Sequence, residues 1–233
     1  MIIDVHAHCS LKPIWLGYDS IKDKFNRFIT LEELLDRMGK ESIDMAAILP
    51  LQSPESTIET VSTREVLEMY KRYPSKIIPF CNPDPRLYLG NKRALEFILE
   101  EYRKMGCKGV GEITANIYFD DPRALNLFDI CERLQLPILF HIGPKLNGYY
   151  GLVDEIGLPR LEKVLKMFPD LIFIGHSQPF WAEISGDLKP EERNSYPKGK
   201  VVPGGRVVEL LKKYPNLYAD LSAGSGYNAI SRD

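Results

Sequence analysis

The four histidines of this 233-residue chain are His6, His8, His141 and His176, and each closes a short apolar run. His6 and His8 follow Ile2-Ile3-Asp4-Val5, His141 follows Ile138-Leu139-Phe140, and His176 follows Leu171-Ile172-Phe173-Ile174-Gly175. Residues i and i+2 of a strand point to one face, so the imidazoles of His6 and His8 can converge on a single ion. Neutral imidazole suits zinc and other borderline divalent metals. Glu112 ends a further run, Gly109-Val110-Gly111-Glu112-Ile113, where a carboxylate can ligate a metal, bridge two, act as a base or orient a histidine. Together these residue types can run metal-assisted chemistry, in which an ion lowers the pKa of water and polarises the bond under attack.

The elements that must position these groups are legible as an alternation. Apolar runs lie at Ile2–Val5, Met45–Leu49, Ile77–Phe80, Gly109–Ile113, Ile138–Phe140, Leu171–Ile174 and Leu217–Leu221. Between them come stripes of helical period, such as Leu31-Leu34-Leu35-Met38 behind the capping pair Thr30/Glu33, and Val66-Met69-Tyr70-Tyr73 behind Ser62/Glu65. Leu95-Ile98-Leu99-Tyr102 precedes Gly106, and Leu127-Ile130-Cys131-Leu134 starts from Asp121-Pro122. Leu161-Val164-Leu165-Phe168 and Val207-Leu210-Leu211-Tyr214 complete the set. Pro74, Pro169 and Pro215 each stop a helix shortly before the next strand. Apolar strands alternating with helices predict an α/β fold with a parallel sheet, and the spacing suits a (β/α)8 TIM barrel, with a doubly wound sheet as competitor. In a barrel all four histidines would share the C-terminal mouth, beneath two long connections, Cys9–Ile29 and Ser177–Gly205.

Composition excludes other classes. With 30 basic and 32 acidic side chains the net charge is −2, without the electrostatic footprint of a nucleic-acid binder. No apolar run reaches the roughly 20 residues that span a bilayer, and the first residues do not read as a signal peptide. The four scattered cysteines, Cys9, Cys81, Cys107 and Cys131, are expected as reduced thiols of a cytoplasmic protein. Residues 1–233 read as one domain.

The segments Ile3-Asp4-Val5-His6-Ala7-His8, Phe140-His141, Ile174-Gly175-His176 and Leu217-Tyr218-Ala219-Asp220-Leu221-Ser222-Ala223 span nearly the whole chain. In order and spacing the sequence resembles the metal-dependent amidohydrolase superfamily, particularly the branch of aminocarboxymuconate-semialdehyde decarboxylase-like enzymes. The resemblance implies a distorted (β/α)8 barrel in which His6, His8 and His141 bind a divalent metal, with Glu112 as a further candidate ligand. It also implies that His176 is catalytic, standing beside the metal and working on substrate or on water. Zinc is the expected ion.

The family pattern also has an aspartate ending the eighth strand. Asp220 matches the seventh-strand position and Asp233 follows no strand pattern, so either a C-terminal segment with the eighth strand is omitted from this sequence or the barrel is incomplete; omission is the expectation, since an open barrel would expose two sheet edges. Asp4, two residues before His6, is expected on the face of the histidines as a buried hydrogen-bond partner, and Cys9 as a buried inert thiol. Trp15, Tyr18, Tyr149, Tyr150, Phe180 and Trp181 stand in loops that either line a small-molecule pocket or pack on one another, and Lys12, Lys145 and Arg232 are candidate anchors for a substrate carboxylate.

The leading functional expectation is metal-dependent hydrolysis of a small molecule. Non-oxidative decarboxylation of a small carboxylic acid is second, and a non-catalytic metal-binding protein third. The partner expected is a small-molecule substrate, without nucleic acid or membrane, and with a homodimer as an option.

Overall fold

The alternating pattern folds, in a computed structural model, as successive βα units; the structure describes residues 1–19, 24–56, 59–87 and 91–232. Asp233 lies outside the described residues, as does the side chain of Tyr18. Seven parallel strands form one curled sheet in chain order: β1 (Ile3–Ala7), β2 (Met45–Ile48), β3 (Ile77–Cys81), β4 (Gly109–Ile113), β5 (Ile138–Gly143), β6 (Phe173–His176) and β7 (Leu217–Ala219). A short strand, Leu152–Val153, adds to the end of β5, and a two-stranded hairpin, Trp15–Asp19 with Lys24–Arg27, occupies the first long connection. Among the described residues the fold is a (β/α)8-type barrel with seven of the eight strands. Strand order follows chain order, which removes the doubly wound alternative.

Helices cover the outer face: α1 (Leu31–Lys40), α2 (Thr63–Arg72), α3 (Lys92–Lys104), α4 (Pro122–Leu134), α5 (Pro159–Met167), α6 (Gln178–Ala182), α7 (Arg206–Lys213) and α8 (Ala223–Ser231). The expected caps form at α1, where Thr30 and Glu33 complete a capping box, and at α4, where Asp121 accepts from the Arg123 amide. At α2 only half of the box forms, because Glu65 reaches across to the Leu11 amide at 2.7 Å and ties the first long connection to the barrel. Neither α6 nor α8 has a clear apolar stripe in the sequence. The residues of α6 instead read as a loop, and the fold buries nearly all of them.

The core has two layers. Ala47, Leu49, Phe80 and Leu139 fill the barrel interior, with Ile78 and Ile174 packed against them. Outside, Ala7, Ala46 and Ile48 meet Met38, Val66 and Met69 of α1 and α2. Further round, Phe128, Phe140 and Phe173 pack edge to face, the Phe128–Phe173 rings 5.4 Å apart. Gly175 leaves a flat spot on β6 for the Phe180 ring, which a Cβ would strike. The two edge strands, β1 and β7, are less well covered: Val5 is 46% and Tyr218 54% exposed, where a closed barrel would place its eighth strand.

The β1 register explains how His6 reaches the mouth. Asp4 pairs with Ala46 and Ala7 with Ile48, so β1 advances three residues while β2 advances two, the signature of a β-bulge. Asp4 thereby shares the register of outward-facing Ala46 instead of the face of His6 and His8, contrary to the expectation from a regular strand. Its carboxylate accepts the His6 amide at 3.0 Å and is half-buried.

Candidate metal centre

The C-terminal strand ends bring His6 and His8 (from β1), Glu112 (β4), His141 (β5), His176 (β6) and Asp220 (after β7) to one mouth. His141 and His176 are direct register partners on adjacent strands. All but His8 are buried, and Glu112 and Asp220 are only 4% and 2% exposed. Gly111 precedes Glu112 at φ +147°, a conformation suited to glycine, and a Cβ there would collide with the Leu139 carbonyl.

Each imidazole is oriented through one ring nitrogen. His8 Nδ1 donates to the Leu49 carbonyl at 2.8 Å, and His6 Nδ1 to Asp220 Oδ2 at 2.8 Å. These acceptors carry no proton, so each ring holds its hydrogen on Nδ1 and turns Nε2 inward. The two Nε2 atoms stand 3.0 Å apart, and Glu112 Oε2 lies 3.1 Å from His8 Nε2 and 3.6 Å from His6 Nε2. Two nitrogen lone pairs and a carboxylate oxygen facing one another at this range need a shared cation. Donors around a tetrahedral zinc, with bonds of about 2.0–2.1 Å, stand about 3.3 Å apart, so the triangle fits such an ion.

Glu112 joins this triangle to a second one. Its other oxygen, Oε1, accepts from His141 Nδ1 at 2.6 Å, and Glu112, His141 and His176 form another group able to hold a metal. The residues expected as ligands are therefore all in the cluster, with His6, His8 and Glu112 on one side and His141 on the opposite oxygen of Glu112. Asp220 was not expected in the site. Its carboxylate receives both His6 Nδ1 and His176 Nδ1, the latter at 3.0 Å on Oδ1, where Ser222 also donates from its hydroxyl and amide. The available signal was its place at the end of a seventh apolar run, two residues before Ser222.

The electrostatics distinguish the two sides. Burial alone would lower the His6 pKa, but hydrogen bonds to Asp220 and Glu112 and their charges override it, and the group is pushed up to about 10. At His141 burial dominates over the attraction of Glu112, and the pKa falls below the usual histidine value. Burial opposes ionisation of Glu112 and Asp220, yet hydrogen bonds from the surrounding histidines hold both well below the carboxylate range.

Above the cluster opens a cavity of about 320 Å³ lined by the four histidines, Glu112, Phe28, Leu51, Ser56, Tyr150, Ser222 and Ala223. Phe28 stacks on His8, and the Tyr150 ring lies 4.3 Å from that of His141. Phe180 and Trp181 belong to the core; Trp181 Nε1 donates to the Asp220 carbonyl. Trp15 is about half-exposed, and Tyr149 lies under Lys145 outside this cavity. None of the candidate carboxylate anchors lines it: Lys145 sits over Tyr149, Arg232 donates to the Gly199 carbonyl, and Lys12 is exposed. Cys9 is buried against Met69, and burial raises its thiol pKa to about 12.

Neither a family model nor a curated protein matches the sequence. Solved structures do match. An uncharacterised TIM-barrel protein from Bordetella bronchiseptica is 17% identical, with a TM-score of 0.58 over 94% of this chain and 74% of its own. The chain has the TIM-barrel fold. A probable 2-pyrone-4,6-dicarboxylic acid hydrolase from Acinetobacter baumannii, with citric acid bound, is 10% identical, with a TM-score of 0.56 over 98% of this chain and 75% of its own. A dihydroxybenzoic acid decarboxylase from Polaromonas, with manganese and 2-nitroresorcinol bound, is 13% identical, with a TM-score of 0.52 over 99% and 82%. Hydrolases and decarboxylases thus both stand among the structural neighbours, which agree with the resemblance in fold. Among the described residues no helix is long and apolar enough to cross a membrane.

Proposed function

We propose that this protein is a metal-dependent hydrolase of a small molecule, with its ion held by His6, His8 and Glu112 and with His141 on the far oxygen of Glu112. The observation that carries the proposal is the converging triangle of His6 Nε2, His8 Nε2 and Glu112 Oε2 at 3.0–3.6 Å on the wall of the cavity. Two nitrogens and one carboxylate oxygen favour zinc, with manganese as the competitor because a decarboxylase of this fold carries it. A divalent ion bound here supplies Lewis acidity, lowering the pKa of water and polarising the bond to be cleaved.

The chain's own groups do the rest. Glu112 supplies negative charge to both sides of the cluster. His176, oriented through Nδ1 by Asp220, is the general acid–base group and exchanges a proton at Nε2 with substrate or water. Phe28, Leu51 and Tyr150 give the cavity apolar walls that exclude water and suit a compact, planar or apolar substrate. The four buried free thiols fit a reducing compartment, and we place the protein in the cytoplasm.

The neighbouring decarboxylases support a second reading, decarboxylation, in which His176 delivers the proton to the substrate carbon. Hydrolysis is preferred because, among the described residues, no arginine or lysine lines the cavity to hold a further carboxylate. Elemental analysis, followed by turnover on panels of lactones, esters, amides and aromatic acids, tests both readings. Cleavage with zinc or manganese supports hydrolysis; carbon dioxide released without cleavage establishes decarboxylation, and no ion after reconstitution rejects both.

A further inference from the structure

Asp220 holds two imidazoles at once, and its two oxygens are not equivalent. Oδ2 accepts from His6 Nδ1 at 2.8 Å. Oδ1 accepts from His176 Nδ1 at 3.0 Å, from the Ser222 hydroxyl at 2.6 Å and from the Ser222 amide at 2.9 Å. The carboxylate is anchored from behind as well, since its own backbone amide donates to the Gly175 carbonyl and its carbonyl accepts from Trp181 Nε1.

We propose that Asp220 is a positioning residue that sets the tautomers of His6 and His176 together, so that one carboxylate from β7 prepares both a metal ligand and the acid–base group. The proposal rests on the reading of the site as a metal centre. An ionised carboxylate only accepts hydrogen bonds, so in the metal-loaded protein both rings carry their hydrogen on Nδ1 and leave Nε2 free of it. For His6 that nitrogen is the one 3.0 Å from His8 Nε2. Were the His6 hydrogen on Nε2 instead, it would donate to His8 and fill the triangle with a hydrogen bond where the ion belongs.

The asymmetry of Asp220 makes the consequence of Asp220→Asn directional. A backbone amide can only donate, so the Ser222 amide keeps the oxygen of the new side chain on the Oδ1 side. The side-chain NH2 then falls at the Oδ2 position, facing His6 Nδ1. Nδ1 must accept, and the His6 hydrogen moves to Nε2, whereas His176 keeps its acceptor and its tautomer. Among the described residues the Ser222 hydroxyl, 3.1 Å from His6 Nδ1, is the group placed to accept there instead, so Ser222→Ala added to Asp220→Asn removes that rescue.

The test is long-range proton–nitrogen correlation on histidine-labelled, zinc-loaded protein, whose four histidines keep the spectrum assignable, together with zinc titration of the metal-stripped protein. In the wild type both His6 and His176 should carry hydrogen on Nδ1; His6 with its hydrogen on Nε2 overturns the proposal whether or not any variant folds. Asp220→Asn should move the His6 hydrogen alone and weaken zinc binding about 10- to 100-fold. The double variant should bind more weakly still, and Ser222→Ala alone should stay within about threefold of the wild type. Weaker binding with both tautomers unchanged would mean that Asp220 acts only through its charge, and the proposal would fall. Failure of the metal reading is distinguishable, because there the wild type itself takes up no ion.

Discussion

The two sides of Glu112 are built from the same residue types and do different things. On the β1 side His6 and His8 turn their Nε2 atoms toward each other and toward Glu112 Oε2, so a cation is needed, and without a metal ion His6, its pKa raised to about 10, supplies a proton at Nε2. On the β5–β6 side burial lowers the His141 pKa and outweighs the opposing pull of its hydrogen bond to Glu112 Oε1. The number of carboxylates per imidazole decides the outcome: His6 has two, Asp220 and Glu112, whereas His141 has Glu112 alone. One side is therefore arranged to hold positive charge, the other to keep the His141 imidazole neutral.

The largest expected effect breaks the β1 side. His6→Ala or His8→Ala should each weaken binding of the ion by about 10³-fold, roughly a quarter of the binding free energy of a four-ligand zinc site. Dialysis against metal buffers measures it, and an unchanged affinity would move the ion elsewhere in the cluster. On the other side His176→Asn should retain the ion and lower turnover by about 10²- to 10⁴-fold. Loss of stoichiometry in that variant would show instead that a second ion sits between His141, His176 and Glu112.

Stability should separate the two β1 histidines. Removing His6 leaves Asp220 Oδ2 and Glu112 short of a buried partner and should cost the metal-free protein about 3 kcal/mol. His8 gives up its bond to the Leu49 carbonyl and one contact with Glu112 Oε2, it is more exposed than His6, and His8→Ala should cost about 1 kcal/mol. Urea unfolding of the stripped variants compares them, and equal costs would contradict the account of His6 as the doubly paired group.

The smallest effect is in pH. His6 is raised from 6.5 to about 10, so its contribution to the metal-free fold is complete below pH 6.5 and is lost as pH rises through 10. A bound ion replaces the Nε2 proton and removes that loss. The Tm of stripped protein should fall relative to loaded protein between pH 6.5 and 10, and a constant gap would count against a protonated His6.

Much of this was readable along the chain. The seven apolar runs became the seven strands, within a few residues at their ends, because buried parallel strands need apolar residues on both faces. Thr30, Ser62 and Asp121 marked the starts of α1, α2 and α4 through hydrogen bonds to amides two or three residues on. What failed was non-local. Asp4 was misplaced because a bulge on β1 shows only in its pairing with β2. The loops around the mouth were also unresolved by pattern, since Phe180 and Trp181 went to the core while Phe28 and Tyr150 went to the cavity.

The sequence by itself determined the strands and helices, their parallel order as βα units, and the presence of four histidines and Glu112 at strand ends, since periodicity and capping act over one or two turns of chain. Tertiary structure alone decided which atoms of those side chains face one another. His6 takes its tautomer from Asp220, 214 residues away, and His8 from a carbonyl 41 residues away. Those partners meet only because the sheet curls far enough to bring the end of β7 round toward that of β1, and that curvature is a sum over six strand pairs that no local stretch of sequence encodes.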